Sequence, residues 1–132
     1  MPRPTIAVAR AIFPEVIERL QAHFEVRANP QDQLLNPQEL VAFLQGCDGL
    51  LCTGSERIDA AVLAACPQLR ICANMAVGYN NFDLDAMTAA RVLGTNTPDV
   101  LTETTADFGF ALLMATARRV TESEHCLRAG KW

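Results

Sequence analysis

The sequence has no run of about 18 apolar residues, the length a membrane-crossing helix needs, so a membrane-embedded protein is not expected. Behind Met1-Pro2-Arg3-Pro4 there is no long apolar stretch and no small-residue cleavage pattern, which argues against a secretory signal and leaves the cytoplasm as the expected compartment. Lys and Arg do not cluster and the formal net charge is -4, so no nucleic-acid partner is expected. The five cysteines are odd in number and none pair as CxxC, which excludes a disulfide framework and a zinc site; no metal is expected. Cys52 and Cys72 sit inside apolar runs and read as small buried hydrophobes. His125 and Cys126 are neighbours, but adjacent residues on a helix point in different directions, so they are not read as a catalytic pair.

What is present is a globular composition, 50% hydrophobic and 20% charged over 132 residues, enough for one domain with a core. Short apolar runs alternate with amphipathic segments. Thr5 to Ala9 reads as a buried strand, and Phe13, Val16, Ile17, Leu20 and Phe24 then recur at helical spacing, with Pro14 in the first turn. A short second strand follows at Phe24 to Arg27. Asn36-Pro37-Gln38-Glu39 has the form of a helix start, and Leu40, Val41, Phe43 and Leu44 supply the apolar side. Gly49 to Thr53 and Leu69 to Ala73 are the next strands, separated by a helix that Asp59 can cap. Asp83 can cap a helix from Leu84 to about Arg91, an extended piece runs from Leu93 to Thr97, and a long helix is expected from about Asp99 to Arg119. This alternation predicts an α/β fold, a flavodoxin-like doubly wound parallel sheet followed by a long interdomain helix. Ligands of such sheets bind beyond the carboxyl ends of the strands. That singles out the loops Gly54 to Arg57 and Asn74 to Phe82.

The segment Phe108 to Ala117 is apolar on nearly every face, whereas a surface helix keeps a polar side. Either it is a central helix or a homodimer seam, or it bridges to a second domain; the bridging reading is the one adopted.

Ala76-Val77-Gly78-Tyr79-Asn80-Asn81-Phe82-Asp83, followed by Thr95-Asn96-Thr97-Pro98-Asp99-Val100-Leu101-Thr102-Glu103-Thr104-Thr105-Ala106-Asp107, then Ala117-Arg118-Arg119 and Gly130-Lys131-Trp132, resembles the D-isomer-specific 2-hydroxyacid dehydrogenases. The wording is nearest the glyoxylate/hydroxypyruvate reductase branch, which includes 2-ketogluconate reductases. The resemblance spans the whole chain and is sharpest from Asn74 to Arg119. It implies that residues 1–98 are the first segment of a substrate-binding (catalytic) domain. Residues 99–132 would be an interdomain helix leading to a Rossmann NAD(P)-binding domain absent from the chain. It also implies that the backbone N–H groups of Val77 and Gly78 hold the carboxylate of a 2-oxo acid, that Leu101 faces substrate, and that Thr105 faces the nicotinamide of NAD or NADP. The interdomain hinge would lie at Pro98, with Asp99 a possible helix cap. Backbone amides can hold an anion without adding a titrating group, and Gly78 permits close approach and a positive φ, or merely makes a turn. Asn80 and Asn81 read as turn formers. Arg57 either touches a substrate of several carbons or is a solvated charge. Two positions depart from the family: Arg91 stands where relatives often have Gly, and Gly94 where a β-branched or apolar residue is usual.

The family's catalytic His, its acidic partner, its substrate-holding Arg and its GxGxxG loop belong to the later parts of its members, and no GxGxxG occurs here. His23 and His125 fall outside the two loops, so no catalytic residue is assigned within this chain. For the full-length enzyme the resemblance implies hydride transfer from NAD(P)H to C2 of glyoxylate, hydroxypyruvate or 2-ketogluconate, with the His giving a proton to the carbonyl oxygen. It also implies a homodimer. Two readings stand: the N-terminal portion of such an oxidoreductase, inactive alone, or a stand-alone flavodoxin-like binding or interaction domain derived from one.

Overall fold

Five short strands alternate with helices: β1 Thr5–Val8, α1 Pro14–Gln21, β2 Glu25–Ala28, α2 Pro37–Leu44, β3 Gly49–Cys52, α3 Ala60–Ala65, β4 Ile71–Asn74, α4 Leu84–Ala90, β5 Leu93–Thr95, α5 Thr102–Ala117 and α6 Val120–Arg128. The structure is a computed structural model and describes residues 2–131; Met1 and Trp132, the latter the end of the Gly130-Lys131-Trp132 match, lie outside the described residues. All strand pairs are parallel, in the order β2-β1-β3-β4-β5. This is the flavodoxin-like order that the alternation predicts. From β1 the chain steps outward to β2, returns past β1 to β3, and continues to β4 and β5. Right-handed crossovers then put α1 on one face and α2, α3 and α4 on the other. In agreement, α2 packs on α3 and α3 on α4.

The sheet register explains where the core sits. Ala7, Leu50, Cys72 and Gly94 stand in one row across four strands. The first three join the buried cluster with Leu40, Leu44, Val62, Leu63 and Met87 from α2, α3 and α4. Each fully buried Leu there contributes about 1.5–3 kcal/mol of transfer free energy. The adjacent row points to the other face, where α1 lies; Leu51 and Ala73 are only half-buried and α1 has no buried residue. Four cysteines, Cys47, Cys52, Cys66 and Cys72, are buried core residues. Burial pushes the Cys72 thiol up to about 12 and that of Cys52 higher still.

The expected helix starts form as read. Asn36 Oδ1 accepts from Glu39 N at 2.9 Å while Glu39 Oε2 accepts from Asn36 N at 2.8 Å, a capping box worth about 1 kcal/mol. Asp59 accepts from Ala61 N and Val62 N, and Asp83 from Ala86 N. Strand limits differ from the sequence reading by a residue or two. β4 starts at Ile71, because Leu69 turns into the core and Arg70 N already bonds Asp48 O. β5 stops at Thr95, because Asn96 and Thr97 turn their donors onto the loop after β4.

Both departures from the family find a place. Arg91 caps the end of α4 at φ 56°, a left-handed conformation in which Gly is favoured and any other residue costs about 1 kcal/mol. Gly94 leaves room for its neighbours: a Cβ there would lie 3.2 Å from Phe82 Cδ2 and from Met87 Cε.

The chain divides into two compact units between Pro98 and Asp99. In the second unit the long helix expected from about Asp99 to Arg119 forms as α5, Thr102–Ala117. Asp99 is not a cap: it sits at φ 64°, and α5 starts three residues later behind Leu101 without a side-chain cap. Arg119, at φ 51°, ends the run, and α6 begins at Val120 with the Arg119 guanidinium on Glu122. No residue of α5 is buried, and Phe108 and Phe110 are each 64% exposed.

Candidate functional site

At the carboxyl end of the sheet, β3 runs into Thr53–Arg57 and β4 into Met75–Phe82. The second loop is held by a set of asparagines. Asn74, the last residue of β4 and 2% exposed, donates from Nδ2 to Gly78 O at 2.8 Å and to Asn81 Oδ1 at 3.1 Å. Asn81, also buried, donates to Thr53 O at 3.1 Å and to Glu56 O at 2.9 Å, which fastens the loop after β4 to the loop after β3. Asn81 is therefore a bridge between loops rather than simply a turn former. Glu56 is buried in turn; its Oε2 accepts from Thr53 N and Thr53 Oγ1, and its Oε1 has no partner among the described residues.

Three successive carbonyls of the loop are pinned. Ala76 O accepts from Thr97 N at 3.0 Å, Val77 O from Asn96 Nδ2 at 2.8 Å, and Gly78 O from Asn74 Nδ2. No peptide bond among the described residues is cis. In a planar trans peptide the N–H points opposite to the C=O of the same plane. Pinning the oxygens of Ala76, Val77 and Gly78 toward the strand ends therefore turns the N–H groups of Val77, Gly78 and Tyr79 away from them. Among the described residues these N–H groups meet no acceptor. Around Gly78 the approach is open: a Cβ there would meet only Asn80 Oδ1, at 3.4 Å. Gly78 does not use a positive φ, so what glycine supplies at this position is space.

A cleft of about 190 Å³ lined by Tyr79, Phe82, Leu84, Gly94, Thr95 and Asn96 adjoins the loop. A larger one of about 400 Å³ beside α1 is walled by apolar residues such as Ile12, Pro14, Ile17 and Pro30. Its one cation, Arg10, already grips Asp32 through two hydrogen bonds and reaches Ser55 with a third. Those bonds, with a further one from Ala11 N, hold the Asp32 carboxyl down at about 2. The chemistry follows convergent donors rather than volume, and the loop after β4 offers a row of them.

The other sequence candidates are placed as follows. Arg57 is 83% exposed along its side chain and lies 3.6 Å from Asp59, a solvated charge. Leu101 and Thr105 belong to the second unit; Leu101 is 55% exposed, and Thr105 N donates to Leu101 O in the first turn of α5. His23 follows α1 with its ring edge-on to Phe24, and His125 lies on α6 beside the exposed Cys126. Asn74 and Glu56 lie in the two loops that the sequence marks, but neither they nor Asn96 carry a role there. A buried amide at the last position of a strand is a signal that could have marked Asn74, since buried polar groups need partners.

The turn from β1 into α1 does not form a dinucleotide cradle. Ala9 to Phe13 has no glycine, its arginine is spent on Asp32, and α1 has no side-chain cap to extend the donor set.

A family model, the D-isomer specific 2-hydroxyacid dehydrogenase catalytic domain, matches residues 6–126. Glyoxylate reductase of Thermococcus kodakarensis is 46% identical over 130 residues, which is 98% of this chain and 39% of that protein. Glyoxylate/hydroxypyruvate reductase B of Shigella flexneri is 43% identical over 133 residues, 98% of this chain and 40% of that protein. The crystal structure of an NADPH-dependent glyoxylate/hydroxypyruvate reductase from Sinorhizobium meliloti, in complex with NADP and malonate, aligns with a TM-score of 0.74 at 34% identity, covering 98% of this chain and 39% of that one. The chain thus spans about two fifths of the length of the relatives it matches.

Proposed function

The chain belongs to the D-isomer specific 2-hydroxyacid dehydrogenase family, and from that premise we propose that its loop after β4 holds the carboxylate of a small 2-oxo acid during reduction to a 2-hydroxy acid. The observation that carries the reading is the row of pinned carbonyls at Ala76, Val77 and Gly78, which leaves the N–H groups of Val77 and Gly78 free on a loop with open approach. Neutral, preorganised donors suit an anion because they need no reorganisation when it binds. The malonate complex of the Sinorhizobium relative supports a carboxylate as the ligand class.

On this reading residues 1–98 are the first segment of the substrate-binding domain, and α5 leads onward from it. Leu101 is proposed to face substrate and Thr105 the nicotinamide, on the resemblance alone. The catalytic His, its acidic partner and the substrate-holding arginine are proposed to lie outside this chain, as is the dinucleotide cradle. The substrate is glyoxylate, hydroxypyruvate or 2-ketogluconate, the cofactor is NAD or NADP, and the working molecule is a homodimer. This chain's own part is to bind the carboxylate and turn the adjacent carbonyl toward the reacting groups.

The test is a chimera in which residues 1–130 replace the matching segment of the Thermococcus reductase. Glyoxylate-dependent oxidation of NADH or NADPH is expected. A folded chimera that still binds cofactor but reduces none of the three acids would overturn the proposal.

A further inference from the structure

We propose that Asn96 is a positioning residue for the anion-holding amides, acting by fixing the peptide plane between Val77 and Gly78. The inference rests on the reading of residues 77 and 78 as carboxylate donors. It starts from a weakness built into the loop. Gly78 has no Cβ, which opens the approach to its N–H but also removes the side-chain sterics that would resist rotation of the plane before it. A free plane would spend part of its time with the Gly78 N–H turned inward and the Val77 carbonyl turned outward, presenting an oxygen where the anion binds.

Each neighbouring plane has its own fastening. The one before is held by Thr97 N on Ala76 O at 3.0 Å, the one after by Asn74 Nδ2 on Gly78 O at 2.8 Å. For the plane between Val77 and Gly78 the single fastening among the described residues is Asn96 Nδ2 on Val77 O, at 2.8 Å. Asn96 can do this because it follows directly on β5, whose Thr95 is in register with Ala73 of β4. The bond is exposed and Asn96 is only half-buried, so it adds little to the core. Asn74, by contrast, is buried and its loss would also disturb Asn81. Asn96 is therefore the position at which orientation of the amide can be separated from stability.

The experiment titrates the 15N-labelled chain with oxamate, which carries a carboxylate beside a carbonyl, and follows the amide signals by NMR. For the unsubstituted chain, saturable shifts at Val77 and Gly78 with a dissociation constant of about 1 mM are expected. Asn96→Ala is expected to weaken binding at least about fivefold while the thermal midpoint moves by no more than about 2 °C. Asn96→Gln, which keeps the donor, is expected to recover part of the affinity. If the unsubstituted chain shows no saturable shift at either amide, the carboxylate reading fails and takes this inference with it. If it binds but Asn96→Ala binds equally well, the inference alone is overturned. A large fall in thermal midpoint for Asn96→Ala would also overturn it, since the residue would then be structural.

Discussion

Replacing Asn81 by Ala tests whether the two loops at the carboxyl end of the sheet are one fastened unit. The substitution removes three hydrogen bonds at once: those to Thr53 O and Glu56 O, and the one received from Asn74. At about 1 kcal/mol for each net bond, with Asn81 buried and solvent slow to replace them, the loss is about 3 kcal/mol. Against a total stability of about 5–15 kcal/mol this is large. With a urea slope of about 2 kcal/mol/M it lowers the unfolding midpoint by about 1.5 M. The assay is urea unfolding followed by circular dichroism, read at unchanged slope. A second variant removes the ambiguity of lost volume. Asn81→Asp keeps the shape and still accepts from Asn74, but it turns an oxygen toward two carbonyls next to the buried Glu56. At neutral pH it is expected to be less stable than Asn81→Ala. A midpoint for Asn81→Ala within about 0.3 M of the unsubstituted chain, or an Asp variant more stable than the Ala one, would refute the bridging role.

Four further outcomes follow from named contacts. Asp32 is held at about 2 by its hydrogen bonds to Arg10 and Ala11 N, below the ordinary carboxylate value, so its contribution to stability is present above about pH 4 and lost as pH falls toward 2; a 13C titration of its carboxyl reads this, and Arg10→Met should move it up toward the usual range. Gly94→Ala places a Cβ 3.2 Å from the Phe82 ring and should cost about 1–2 kcal/mol in urea unfolding; an unchanged midpoint would mean the ring yields. Of the five cysteines only Cys126 is exposed, so a thiol reagent should modify one equivalent quickly and the rest only on unfolding, and two or more fast equivalents in the native chain would contradict the packing. The purified chain should neither bind NADH or NADPH tightly nor oxidise either with glyoxylate, because the turn after β1 has no glycine cradle; measurable turnover at micromolar protein would sink that reading.

The fold was legible because its signals are local and repeated. Leu50 with Cys52 and Ala7 with Ala9 alternate into one core, and Asn36, Asp59 and Asp83 each stand one residue before a helix. Such periodicity and capping chemistry need no knowledge of what lies across the sheet. The long helix forms within its expected span, and only its ends were read too generously, by three residues at the start and two at the close. Its apolar pattern runs through Ala117 and only the left-handed backbone at Arg119 breaks it, and arginine carries no sequence mark for that conformation. Asp99 looked like a cap by residue type, yet the same short side chain also tolerates positive φ, and here it takes that option.

The candidate site was legible only as a candidate loop. Val77 and Gly78 could be reached from the wording of their loop, and Gly78 from its lack of a side chain. What aims their N–H groups is a set of contacts between distant positions: Asn96 with Val77, Thr97 with Ala76, and Asn81 with Thr53 and Glu56. An asparagine that turns a chain and one that clamps another strand's loop are the same letter, and only the register of β4 against β5 tells them apart. The division has a physical consequence. The residues that would touch an anion contribute backbone, which almost any side chain supplies, so specificity for the carboxylate resides in the side chains that hold that backbone still. Substitution at Val77 should therefore disturb binding less than substitution at Asn96, although Val77 is the residue nearer the ligand.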